Sequence, residues 1–182
     1  AGFGDLEDLI AADRLGELAK AAAASGASVP AADATYLPVV TKPKRIVCIG
    51  RNYPKIHPVD GVLPPPTDIS LFLKLPGVLV GQGAPILKPA ESDCYDYECE
   101  ITLIIGKKTG KISKEDAWSV VAGITVMNDG SVRDWQKHSV DAGKNFRPSG
   151  SLGLWMTTLD AMPKPYGDWR ILTKLNGEVM QD

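Results

Sequence analysis

The sequence predicts a mainly β fold with short helices, of the α+β class. Three observations carry this expectation. Short apolar runs recur along the chain between Pro- and Gly-rich stretches, helical periodicity is confined to the first part of the chain, and Asn176-Gly177 sits between two strand-like segments as a strong hairpin turn signal.

Between Asp5 and about Ser25, Leu6, Leu9, Ile10, Leu15, Leu18 and Ala22 form a helical stripe with Gly26 as its stop. From Ala27 to Lys44 the composition turns to Pro, Ala, Ser and Thr, an extended connection into the main domain, with the boundary near Lys42. Residues 1–42 are thus expected to form a small N-terminal region and 43–182 the main domain. Arg45 to Gly50 reads as a buried strand. Arg51 to Asp68 holds five prolines, which exclude regular helix and central strand, and is expected to be a long loop with a function. Ile69 to Lys74 resumes strand character, Ser113 and the acids after it offer a cap and first turn for a short helix ending near Ser119, and Val120 to Asn128 reads as a buried strand. Trp169 to Leu175 alternates imperfectly ahead of the hairpin turn.

At 182 residues, with 44% hydrophobic and 23% charged side chains, the chain can bury one good core. A formal net charge of -2, with Lys and Arg scattered rather than gathered in a stripe, argues against nucleic acid as a partner. Three cysteines without a C-x-x-C spacing fit a reducing cytosol better than a secreted disulfide scaffold. No stretch approaches the roughly 18 apolar residues of a membrane span, and the first residues have no signal-peptide pattern, so a cytoplasmic location and no membrane partner are expected.

The chemistry concentrates at Glu98 and Glu100. Alternation along a strand places both on one face, roughly 6 to 7 Å apart. On an otherwise apolar strand they would repel each other and raise each other's pKa without a cation between them. Asp129 ends the next apolar run, and three hard oxygen donors suit Mg²⁺, Mn²⁺ or Ca²⁺ rather than zinc. A solvated pair of surface acids is the plainer explanation of any E-x-E, and the apolar flanks count against it. His57 has Asp60 three residues on, an arrangement that holds an imidazole in one tautomer and makes it a general base. Residues 128–136 pack polar and charged groups after a buried strand, where a helix N-terminus capped by Ser131 or Asp129 is the structural alternative. Lys144, between small and aromatic neighbours, is placed to hold a substrate carboxylate or stabilise an enolate. His138 reads as a surface residue, and Cys99, alternating away from the two acids, as core.

Residues 46–53 (IVCIGRNY), 96–101 (DYECEI), 128–136 (NDGSVRDWQ), 143–146 (GKNF) and 176–181 (NGEVMQ) together resemble the fumarylacetoacetate hydrolase superfamily. The resemblance covers nearly everything from about Lys44 onward, and residues 1–43 resemble part of the smaller N-terminal region of such enzymes. It implies a distorted mixed β-sheet roll, incomplete here at both ends, and a homodimer. It places the metal carboxylates on Glu98, Glu100 and Asp129, the active-site lysine on Lys144, and the catalytic histidine and its acidic partner on His57 and Asp60. Gln136 matches an amide near metal or substrate, and Arg51 a residue at the pocket rim. The chain departs from the family in four places: Asp60 stands for Glu, one extra residue separates Asn52 from His57, the passage from Gln136 to Lys144 is shorter than usual, and a later T-G-T-P segment is missing.

The expected activity is a divalent-metal-dependent hydrolase, with Mg²⁺ first and Mn²⁺ or Ca²⁺ as alternatives, cleaving a C–C bond in a small 2-oxo or 1,3-dicarbonyl acid such as an acylpyruvate. In that mechanism His57 deprotonates water and Lys144 adds positive charge beside the enolate that leaves. The same site would serve decarboxylation of a 2-oxo acid or isomerisation of a 2-hydroxydienoate. A reading from a different class is a metal-stabilised binding domain without turnover.

Overall fold

The computed structural model describes residues 4–26, 28–53, 64 and 66–182. His57 and Asp60 lie outside the described residues.

The N-terminal stripe forms two helices instead of one, α1 (Leu6–Ala11) and α2 (Leu15–Ser25). Periodicity runs on through the break, but Asp13 adopts a left-handed φ of 56° and Arg14 N folds back to donate to Leu9 O at 2.9 Å. α1 buries Leu9 and Ile10, whereas α2 buries no residue and stops at Gly26, also left-handed at φ 60°. One carboxylate ties α1 to the connection that follows: Glu7 Oε1 accepts from Thr41 Oγ1 at 2.9 Å, from Lys42 N at 2.6 Å, and from Thr41 N.

The central sheet is built on β5 (Cys99–Ile105) and β6 (Val121–Asn128), which pair antiparallel from Cys99↔Asn128 to Ile105↔Val121. The other edge of β6 takes β8 (Gly150–Leu152) at Met127 and Asn128, and β9 (Thr157–Thr158) at Gly123 and Ile124. Gly123 permits that approach, since a Cβ there would lie 2.6 Å from Thr157 O. β3 (Leu79–Val80) joins β8 in parallel, so the sheet is mixed, in the order β3-β8-β6-β5.

Among the described residues there are also three two-stranded sheets. β1 (Ile46–Ile49) and β2 (Leu71–Lys74) pair antiparallel. Their inward residues Cys48 and Phe72 meet Met127 and Leu152 in the core, while Val47, Ile49, Leu71 and Leu73 face outward. Lys74 is in phase with Phe72 and therefore also points inward. β4 (Tyr95–Asp96) pairs with β7 (Ser131–Val132), so the segment after Asp129 is a short strand and not the helix start that capping residues allowed. β10 (Thr173–Leu175) and β11 (Glu178–Gln181) form the expected hairpin, with Asn176 at φ 52° and Gly177 at φ 90°, both positive as a type I′ turn requires. The expected helix after Ser113 is a single 3₁₀ turn, Ala117–Val120; Ser113 Oγ accepts from Asp116 N at 3.1 Å. A true short helix, α3 (Val140–Lys144), starts at Ser139, whose Oγ accepts from Ala142 N at 3.0 Å.

Candidate active site

The β5–β6 register sets the site. Glu98 lies just before β5 and Asp129 just after β6, and the ladder continues one step past its ends: Asp129 N donates to Glu98 O at 2.8 Å, and Glu98 N donates to Asn128 Oδ1 at 3.1 Å. The two acids therefore leave neighbouring strands at the same level. Glu100, two residues along β5, follows Glu98 on the same face.

Three cations converge on them. Lys144, from the end of α3, places Nζ 2.8 Å from Asp129 Oδ2 and also bonds Glu98 Oε2. Lys74, from β2, reaches the other oxygen, Asp129 Oδ1, at 2.6 Å, and donates to Lys144 O at 2.6 Å. Arg133 pairs with Glu98 Oε1 at 2.7 Å and with Asp96 Oδ2 through two bonds of 2.6 and 2.9 Å. Ser131 Oγ donates to Glu98 Oε1 at 3.0 Å. Lys74, Asp129 and Lys144 are only 2%, 2% and 3% exposed. Charges so buried are tolerated only when paired, and here each oxygen of Asp129 has its own ammonium.

Burial shapes the site's ionisation. Desolvation alone would raise Glu98, but Lys144, Arg133 and the Ser131 hydroxyl together hold it below the ordinary carboxylate value. Glu100 goes the other way, up to about 7, because desolvation dominates and Glu98 and Asp129 add their negative charge; the Tyr53 hydroxyl, donating to Glu100 Oε2 at 3.1 Å, offsets only part of this. Tyr53 is itself pushed up to about 12, first by burial and then by Glu100, so it stays a donor at neutral pH. Desolvation lowers Lys74, with the Asp129 charge working against that shift.

Of the residues expected from sequence, Glu98, Asp129 and Lys144 are in direct contact, and Glu100 stands beside them. Gln136 adjoins the cluster through Arg133, which donates to its Oε1 at 3.3 Å. Arg51 is exposed just past β1 and has no hydrogen bond or ion pair among the described residues. His138 is exposed, its ring 5.6 Å from that of Trp135. Cys99 is half-buried rather than core. Sequence reasoning missed Lys74, Tyr53 and the roles of Arg133, Ser131 and Asp96. Lys74 had a signal: it is the one charge in Leu71 to Leu75, in phase with Phe72.

Among the described residues no three Asp, Glu, His or Cys side chains already converge as a metal-binding group, because Lys144 stands between Glu98 and Asp129. The donor chemistry nevertheless fits a hard divalent cation. Glu100 is a largely desolvated carboxylate with no direct ion pair among the described residues, on the same face as two others. A separate concavity of about 450 Å³, lined by residues that include Leu37, Pro38, Pro76, Leu79 and Arg147, shares none of these groups.

The sequence and the fold both have counterparts among known proteins. Residues 45–182 match the fumarylacetoacetate (FAA) hydrolase C-terminal family, and the chain belongs to that family. It is 36% identical over 157 residues to the mitochondrial oxaloacetate tautomerase FAHD2A of Bos taurus, covering 84% of this chain and 49% of that protein. The human FAHD2A is 35% identical over 166 residues, covering 89% and 52%. Among solved structures, 2-hydroxyhepta-2,4-diene-1,7-dioate isomerase from Mycobacterium marinum superposes with a TM-score of 0.68 at 29% identity, over 86% of this chain and 57% of that one. The chain thus spans about half the length of the relatives it matches. Their named activities are a tautomerase and an isomerase rather than C–C bond hydrolysis; isomerisation of a 2-hydroxydienoate is one of the alternatives given above, and tautomerisation is an enolate chemistry not named there.

Proposed function

We propose that this chain carries an enol-stabilising site for a small 2-oxo dicarboxylic acid, catalysing keto–enol tautomerisation of an oxaloacetate-like acid or the related shift in a 2-hydroxydienoate. The observation that carries this reading is the Lys144 ammonium, buried between Glu98 and Asp129 in a place where negative charge is already concentrated. In tautomerisation a proton leaves the carbon next to the carbonyl and one is gained by the carbonyl oxygen, so the barrier falls when positive charge is fixed beside that oxygen. Lys144 supplies such charge from a helix that Ser139 caps. Lys74 orients Asp129 through its other oxygen, and Arg133 orients Glu98 in the same way. The activities named for the relatives support this reading over hydrolysis, which would require in addition that His57, oriented by Asp60, deprotonate a water.

Glu98, Glu100 and Asp129 are proposed to hold Mg²⁺, with Mn²⁺ or Ca²⁺ as alternatives. When bound, such an ion would act as a Lewis acid toward the 2-oxo carboxylate. A homodimer is proposed for the working protein.

The deciding experiment follows enol absorbance after mixing oxaloacetate with the protein, with and without Mg²⁺, and in parallel the cleavage of an acylpyruvate. Faster tautomerisation that Lys144→Met removes is the expected result. Acylpyruvate cleavage without tautomerisation would return the assignment to hydrolysis, and acceleration of neither would leave a binding domain.

A further inference from the structure

β2 pairs with β1 along one edge only. On the other edge, the backbone groups of Leu73 and Leu75 that turn away from β1 meet side chains from α3 and the residue that follows it. Asn145 Oδ1 accepts from Leu75 N at 2.7 Å, and Asn145 Nδ2 donates to Leu73 O at 3.0 Å and to Asp141 O at 2.9 Å. Asp141 Oδ1 accepts from Leu73 N at 3.0 Å. The side-chain amide of Asn145 thus does what the N–H and C=O of one residue in an adjacent parallel strand do, joining the carbonyl of one residue to the N–H two residues on. The residue it straddles is Lys74. The residue that precedes it in the chain is Lys144.

We propose that Asn145 is a positioning residue, a single amide that clamps the backbone on both sides of Lys74 directly beside Lys144, and so sets the spacing of the two ammonium groups that grip the two oxygens of Asp129. Its importance for turnover rests on the reading of this cluster as the enol-stabilising site. The clamp itself is a matter of geometry. Only a primary amide meets the requirement, because the site needs an acceptor for Leu75 N and a donor for two carbonyls at once. In Asn145→Asp the acceptor survives, while the lost donor leaves a carboxylate facing Leu73 O and Asp141 O.

The test reads the lysines directly. In the full chain with ¹⁵N-labelled lysine, side-chain ammonium resonances of Lys74 and Lys144 should be visible through slow exchange with water, assigned by Lys74→Met and Lys144→Met. Asn145→Ala should shift both and abolish the protection of at least one, in protein whose circular dichroism is unchanged. In the tautomerase assay kcat should fall about 100-fold, the scale expected when reacting groups are displaced by about 1 Å, with KM changed less than kcat. Should Asn145→Ala not fold, Asn145→Asp, which keeps the side chain's size and the Leu75 bond, carries the same comparison. Unchanged ammonium signals in either folded variant would overturn the proposal, as would an unchanged kcat. If the parent chain turns over none of the substrates, the functional reading fails while the ammonium spectra still decide the clamp.

Discussion

Two carboxylates, Asp129 and Glu7, each join segments far apart in the sequence, and they do so under opposite conditions. Asp129 is buried and met by two full charges, Lys74 at 2.6 Å and Lys144 at 2.8 Å. Glu7 lies near the surface and accepts from the Thr41 hydroxyl and the backbone N–H groups of Thr41 and Lys42. The same functional group is a committed element in one place and a latch in the other. The difference is solvent: water stands ready to replace the partners of Glu7, and nothing can replace those of Asp129.

The largest effect expected from breaking this contrast is at Lys74. Lys74→Met leaves one Asp129 oxygen buried without its cation, and should cost about 3 kcal/mol of stability in denaturant unfolding, part of which the double variant Lys74→Met, Asp129→Asn recovers. A loss under about 1 kcal/mol would place Asp129 with the surface pairs. Next comes Lys144→Met, for which turnover should fall about 100- to 1000-fold, the usual consequence of removing a preorganised electrostatic donor. It should also raise the pKa of Glu98, since Lys144 leads the interactions that hold that group down; carboxyl NMR titration checks the second point.

Smaller effects belong to the latch. Glu7→Ala should destabilise by only about 1 kcal/mol, because exposed partners are re-solvated, and hydrogen exchange should rise at Thr41 and Lys42 while the β5–β6 ladder stays protected. The pH response has a definite sign. Burial would raise Glu7, but the hydrogen bonds from its own backbone, Lys42 and Thr41 prevail and hold it below its ordinary 4.5. A depressed carboxyl contributes its full stability above 4.5 and loses it as pH falls through the lower folded-state value. The protection of Thr41 and Lys42 relative to their intrinsic exchange rates should therefore fall on acidification below about pH 4.5, ahead of the core; unchanged protection down to the acid transition of the whole chain would remove the distinction between the two carboxylates.

Legibility in the sequence followed the same division between local and non-local causes. β5, β6, β1 and β2 could be read because apolar residues alternate or run together over enough positions to define a face, and the β10–β11 hairpin because Asn176-Gly177 specifies its turn chemically. Glu98 and Glu100 were found from the cost of placing two like charges on one face of an apolar strand, Asp129 from its position at the end of the next apolar run, and Lys144 from its small and aromatic neighbours and the family resemblance. The pairing of β4 with β7 was invisible, since two-residue strands have no period. The break at Asp13 was missed because periodicity carries no mark of a left-handed residue. Asp96 and Arg133 are 37 positions apart, and nothing local to either predicts that they meet. Lys74 was the avoidable omission: a lone charge in phase with Phe72 on an apolar strand is a statement about what lies opposite.

That buried pair also constrains how such a chain can vary over time. Loss of Lys74 alone exposes Asp129 to an environment that cannot solvate it, and loss of Asp129 alone strands an ammonium among backbone carbonyls. Every single-step exit from the pair passes through a less stable protein. The two positions, 55 residues apart along the chain, one on β2 and the other just past the end of β6, should therefore behave in descent as one inherited character, kept together or replaced together.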